Sequence, residues 1–164
     1  MKHLILLLVV LLLSPVVIAG DCKPANVNVG ANVYYFDSPY PPECTFQGVD
    51  YLWCLEAPAI GTLNGTWWYF ASVWDNFVEV LDPMPGHPGF WAYYAVSYVS
   101  TSRGELWMRN TGVMDLENYF GDFPFGAETM AIVGGTDDYE GATGWLGYIW
   151  SEEGGVMKGE VCTQ

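Results

Sequence analysis

Basic charge is what this chain has least of. It carries 5 Lys+Arg against 19 Asp+Glu in 164 residues, a net charge of -14. Phosphate would be repelled by such a surface, which excludes nucleic-acid binding held by counterion release. Histidine is as scarce, with only His3 and His87. Ser-His-Asp and Cys-His catalysis would both depend on His87, which lies in the proline-rich stretch Pro83 to Pro88, an obligate loop. There is no G-x-S-x-G elbow, no phosphate-binding glycine loop and no H-E-x-x-H. Nor is there a Cys-x-x-Cys pair, so the four cysteines do not form a zinc ligand set, and neither metal nor cofactor is expected. Asp137, Asp138 and Glu140 lack EF-hand spacing and read as a solvated acidic turn. What is present in abundance is apolar and aromatic: 51% hydrophobic residues, with eight Trp, eleven Tyr and eight Phe, which excludes a disordered chain.

Only one long apolar run occurs, from Leu4 to Leu13, behind the basic start Met1-Lys2-His3. It is too short to span a bilayer. Ser14-Pro15 breaks it, and Val17 and Ala19 stand at the -3 and -1 positions of a cut after Ala19. Residues 1–19 therefore read as a signal peptide, and residues 20–164 as one secreted domain, extracellular or periplasmic, with no membrane span after cleavage. Export gives the cysteines an oxidising compartment, and two disulfides are the default. Four cysteines allow three pairings. A three-residue hairpin loop at Gly48-Val49-Asp50 would bring Cys44 opposite Cys54, leaving Cys22 to join Cys162.

Past Cys22 no stretch has a helical period, while short runs rich in Tyr, Trp, Val, Phe and Thr recur between turn residues. Strands are expected over 32–36, 44–47, 51–56, 65–80, 89–101, 104–115, 127–134, 142–150 and 155–162. The fold class is all-β: one closed antiparallel barrel of about eight strands. A sheet with one wet face should alternate apolar and polar residues, yet from Trp67 to Val80 both sets of positions are apolar. The same holds from Gly89 to Thr101. One face is then a barrel lumen, and the other needs a loop, the N-terminal segment or a neighbouring subunit over it.

The run Ile132-Val133-Gly134-Gly135-Thr136-Asp137-Asp138-Tyr139-Glu140-Gly141-Ala142-Thr143-Gly144 resembles the strand-turn-strand signature of the allene oxide cyclase-like and dirigent-like barrel proteins, loosely G-G-T-G-x-[YF]-x-G-A-x-G. Gly134 and Gly135 permit positive φ, Thr136 and Tyr139 match the pattern, Tyr139 can cover the barrel end, and Gly141 and Gly144 let the returning strand pass close to its neighbour. Asp137 stands where the family has glycine, and Asp tolerates left-handed conformations better than most residues. The resemblance extends upstream through Arg103-Gly104-Glu105-Leu106 and Thr111 to Asp115. It implies an eight-stranded, calycin-like barrel with an apolar lumen, a homo-oligomer in many members, and a small hydrophobic molecule as partner. The family's catalytic groups lie in N-terminal strands, where this chain offers no matching motif.

Polar residues embedded in aromatic strands are the remaining candidates. Asp75 and Arg109, if both faced the lumen, could orient a polar group on a hydrophobic ligand, with Trp74, Tyr94 and Trp107 as walls; as outward or strand-end charges they would do neither. Three readings follow: a barrel that binds a hydrophobic ligand without catalysis, a cyclase-like or dirigent-like enzyme that folds its substrate, and a carbohydrate-binding β-domain with a flat platform of exposed aromatics.

Overall fold

The computed structural model describes residues 20–35, 40–71, 78–79, 90–115, 125–151 and 153–164. The signal peptide expected over 1–19, the candidates Trp74 and Asp75, and the Pro83 to Pro88 loop with His87 lie outside these residues. Twelve strands are described: β1 (Asp21–Val29), β2 (Val33–Tyr35), β3 (Thr45–Phe46), β4 (Val49–Asp50), β5 (Trp53–Gly61), β6 (Gly65–Ala71), β7 (Val78–Glu79), β8 (Phe90–Thr101), β9 (Gly104–Asp115), β10 (Phe125–Gly135), β11 (Thr143–Ser151) and β12 (Gly154–Thr163). Eight of them run β1-β12-β11-β10-β9-β8-β6-β5 and close into an antiparallel barrel where Val27 to Val29 of β1 meet Ala59 to Gly61 of β5.

β1 is the strand that composition alone does not announce. Its sequence carries Pro24 and two asparagines, yet Ala25, Val27 and Val29 alternate inward and are buried. Pro24 is tolerated because residues 21–26 pair only with β12, so its missing N–H leaves no ladder bond unmade. After Gly30 the chain inserts one residue and resumes pairing with β5 as β2, with Val33 opposite Glu56. This bulge turns Asn32 towards the barrel interior. Of the strand expected over 65–80, Gly65–Ala71 (β6) and Val78–Glu79 (β7) are described, and both pair with β8.

The doubly apolar faces have a specific cause. Inward go Trp67, Tyr69 and Ala71 of β6 and Tyr93, Ala95, Ser97 and Val99 of β8, all buried. Outward go Trp68, Phe70, Val96 and Tyr98, and a clamp formed by residues 40–51 covers them. A single 3-10 turn (Pro42–Cys44) leads into the hairpin β3–β4, whose Phe46 lies 5.4 Å from the Phe70 ring and 4.9 Å from that of Tyr98. Tyr51 adds a second ring at 5.3 Å from Phe70. Cys44 is bonded to Cys54 of β5 and both are fully buried, which fastens the clamp to the barrel wall. The loop of β3–β4 is Gln47-Gly48, both with positive φ, not the three-residue Gly48-Val49-Asp50 loop, and Asp50 pairs with Thr45 while Cys54 lies on β5 rather than across the hairpin from Cys44. The disulfide therefore joins the hairpin to another strand. Cys22 and Cys162 face each other directly across β1 and β12 and form the second bridge.

One end of the barrel is sealed. The Gly134 to Gly144 segment makes a 3-10 turn (Asp137–Tyr139) that drops Tyr139, 3% exposed, into the core beside Leu63 and Ala142. Asp137 takes φ 50°, the left-handed conformation. Gly144, at φ 128°, passes so close to the Glu160 carbonyl of β12 that no Cβ fits between them. Outside, Arg103 Nε donates to Asp138 Oδ2 at 2.8 Å and its guanidinium lies over the Tyr139 ring. Above this plug, Leu106, Met108, Met130, Leu146 and Met157 fill the middle of the lumen with side chains.

Candidate functional site

At the other end of the barrel the described residues form a cavity. Where β6 and β9 finish and β8 and β10 begin, a pocket of about 420 Å³, its mouth included, descends between Asn32, Tyr34, Trp53, Leu55, Trp67, Tyr69, Tyr93, Met114, Glu128, Tyr148 and Trp150. The enclosed space within it is about 50 Å³, so a ligand larger than a few waters occupies the mouth as well. Seven of these eleven residues are aromatic. Their rings meet edge to face or tilted, Trp67 to Tyr148 at 5.1 Å and Trp53 to Tyr69 at 5.8 Å, and so brace one another rather than collapse inward.

Glycines make the space. Tyr93 of β8 pairs with Gly112 of β9, and a Cβ on Gly112 would stand 2.6 Å from Cζ of the Tyr93 ring. The ring can lie flat on the wall only because nothing projects there. Gly126 of β10 accommodates the Trp150 ring in the same way, and Trp150 Nε1 then donates to the Tyr93 hydroxyl at 3.3 Å.

Among the described residues three non-aromatic polar side chains are buried in the lumen, one from each of three adjacent strands: Ser97, Asn110 and Glu128. The Ser97 hydroxyl donates to Asn110 Oδ1 at 2.9 Å, and Asn110 Nδ2 donates to Glu128 Oε2 at 3.1 Å. This chain holds the carboxyl in place at the pocket wall. Burial pushes the Glu128 carboxyl up to about 8, with the Asn110 hydrogen bond pulling in the opposite direction, so at neutral pH it largely keeps its proton. The Tyr93 and Tyr148 hydroxyls are also pushed upward, first by burial and then by Glu128, and remain neutral donors.

The pocket also gathers unpartnered polar atoms. Asn32 Oδ1, Trp53 Nε1, Trp67 Nε1 and the Tyr148 hydroxyl are buried and make no hydrogen bond, and all four residues line this one cavity. Among the described residues no other buried side-chain nitrogen or oxygen lacks a partner, as native interiors require.

Two of the residues expected to line the lumen, Tyr94 and Trp107, lie elsewhere. Tyr94 is 57% exposed, because its neighbours Tyr93 and Ala95 take the inward positions of β8. Trp107 lies on the outer face, half-buried at 6.3 Å from Phe46, with Nε1 donating to Glu105 Oε2. Arg109 is exposed on the outside of β9. Asp75, the expected partner of Arg109, and Trp74 lie outside the described residues. The lumen acid is Glu128, which sequence inspection passed over. Its signal was present: Met130 and Ile132 follow it at spacing two, so an acid shares the inward register of an apolar strand. The acidic turn carries no metal constellation: Asp138 is taken by Arg103, and among the described residues no cluster of three potential metal ligands exists.

No family model, no curated protein and no solved structure matches the chain. Among the described residues no helix is long and apolar enough to cross a membrane.

Proposed function

We propose that this chain is an exported barrel that binds a compact, largely hydrophobic molecule in the aromatic pocket opposite the Gly134 to Gly144 turn, as a carrier or sensor rather than an enzyme. The observation that carries this reading is the convergence of four unpartnered polar atoms on one aromatic cavity. Each such atom costs about 1–3 kcal/mol when left unmade, and a fold that places them together loses that stability unless ordered water or a ligand completes them. Export is supported by the two disulfides, which persist in oxidising compartments. The allene oxide cyclase-like and dirigent-like affiliation belongs to the same proposal and rests on the Gly134 to Gly144 turn.

The test uses 2-naphthol, a flat ring with one hydroxyl. Saturable one-to-one binding with quenching of Trp emission is expected, weakened roughly 2–10-fold in Tyr148→Phe, the worth of one hydrogen bond. Asp137→Ala, at the sealed end, should bind as the parent does. Absence of binding, with Tyr148→Phe altering only the melting temperature, would assign the cavity to packing alone.

A further inference from the structure

Resting on that reading of the pocket, we infer that its ligand is a small aromatic amine whose ammonium group sits against Glu128 inside the cage of aromatic rings. The first support is a mismatch of charge. Glu128 is 6% exposed, and no basic side chain lines the pocket among the described residues. Arg103 and Lys23 are engaged at the surface by Asp138 and Asp21, while Arg109 and Lys158 are exposed on outer faces. A buried carboxyl without a counter-charge is costly when ionised unless a cation comes from outside.

The walls supply the second support. Tyr69, Tyr93, Trp67 and Tyr148 present π-faces and edges around the same cavity, and ring faces attract a cation that has shed its water. An ammonium has three hydrogens to place. Glu128 accepts one, and Asn32 Oδ1 and the Tyr148 oxygen are acceptors lacking donors. The unpartnered indole N–H groups of Trp53 and Trp67 ask for the reverse, an acceptor such as a ring hydroxyl. A molecule with an ammonium at one end and a hydroxylated ring at the other meets both demands.

The whole-molecule charge points the same way. At -14 the protein's field concentrates cations at the pocket mouth and repels carboxylates. The exchange balances: the neutral Glu128 carboxyl gives its proton to solvent and the carboxylate pairs with the incoming ammonium, which keeps all of its hydrogens. Among the described residues the titratable groups coupled to Glu128 are Tyr93 from β8 and Tyr148 from β11, and both stay neutral throughout.

Isothermal titration of the full chain at pH 7 with tyramine, 4-(2-hydroxyethyl)phenol and 4-hydroxyphenylacetate tests the inference, because the three share a ring and differ in the terminal charge. Tyramine should bind at least tenfold tighter than the alcohol and the carboxylate weakest. The heat of tyramine binding should differ between phosphate and Tris in proportion to their ionisation enthalpies, reporting release of close to one proton. Glu128→Gln should bring tyramine down to the affinity of the alcohol. Equal binding of alcohol and amine, no proton release, or an amine preference surviving in a folded Glu128→Gln would overturn the amine assignment. If 2-naphthol binds and none of the three competes with it, the amine assignment fails and the pocket stands; if 2-naphthol fails as well, both fall.

Discussion

Glu128 couples folding to pH. Its carboxyl holds a proton in the folded barrel up to a pH of about 8, against 4.5 for the unperturbed group. Between those values the native state binds a proton that the unfolded chain has lost, so the stability it contributes is intact below about 4.5 and is lost as pH rises through about 8. The slope is at most about 1.4 kcal/mol per pH unit. Glu128→Gln keeps the shape and the hydrogen bond from Asn110 without the charge. Its melting temperature should exceed that of the parent by a margin that grows from pH 5 to 8 and then levels, since every other titrating group is common to both proteins. A margin independent of pH would mean that the carboxyl is ionised throughout. This residue also marks how far the sequence could be read. Asp75 and Arg109 drew attention because they interrupt aromatic strands, but interruption does not say which face a charge occupies. Register does, and register became fixed only when the pairing of Gly112 with Glu128 and of Glu128 with Tyr148 was known.

At the scale of elements, glycine position decides whether aromatic side chains fill the lumen or line it. Tyr93 lies over Gly112 and Trp150 over Gly126, so two large rings cover the wall and leave the axis free. Gly112→Ala should displace the Tyr93 ring into the pocket, lower stability by about 1–3 kcal/mol as overpacking does, and weaken 2-naphthol binding together with it. Gly48→Ala is the control. It strains a turn at φ 75° with nothing within 4 Å of the new Cβ, so it should lower stability while leaving binding alone. The strands themselves were legible for a physical reason: β-branched and aromatic residues between turn residues specify extended chain almost wherever they occur. β1 was not legible, since a barrel strand needs only three inward apolar residues and the rest of its sequence is free to look like a loop. The two apolar faces of β6 and β8 were equally plain, and they required a cover. That the cover would be the Cys44 clamp followed from nothing local, because Phe46 reaches Tyr98 and Trp107 across more than fifty residues of chain.

For the molecule as a whole, the two disulfides guard different weaknesses. The barrel closes on itself through the pairing of Val27 to Val29 with Ala59 to Gly61, a seam of three residue pairs. Cys22–Cys162, at a sequence separation of 140, ties the far end of β1 to β12 and restrains the unfolded chain by about 5 kcal/mol in the loop-entropy account. Cys44–Cys54 closes a separation of only 10 and contributes about 3 kcal/mol by the same account, but it alone fastens the clamp over Phe70 and Tyr98. The two should therefore fail differently. The paired change Cys22→Ser with Cys162→Ser should cause the larger drop in denaturant midpoint and leave a native protein that does not bind 1-anilinonaphthalene-8-sulfonate, because the outer aromatic surface stays covered. Cys44→Ser with Cys54→Ser should lower the midpoint less and yet increase dye binding at 25 °C, as Phe46 lifts from the rings beneath it and exposes an apolar patch. Dye binding that rises equally in both variants would show that the clamp is held by its aromatic contacts and that the short disulfide is dispensable to it.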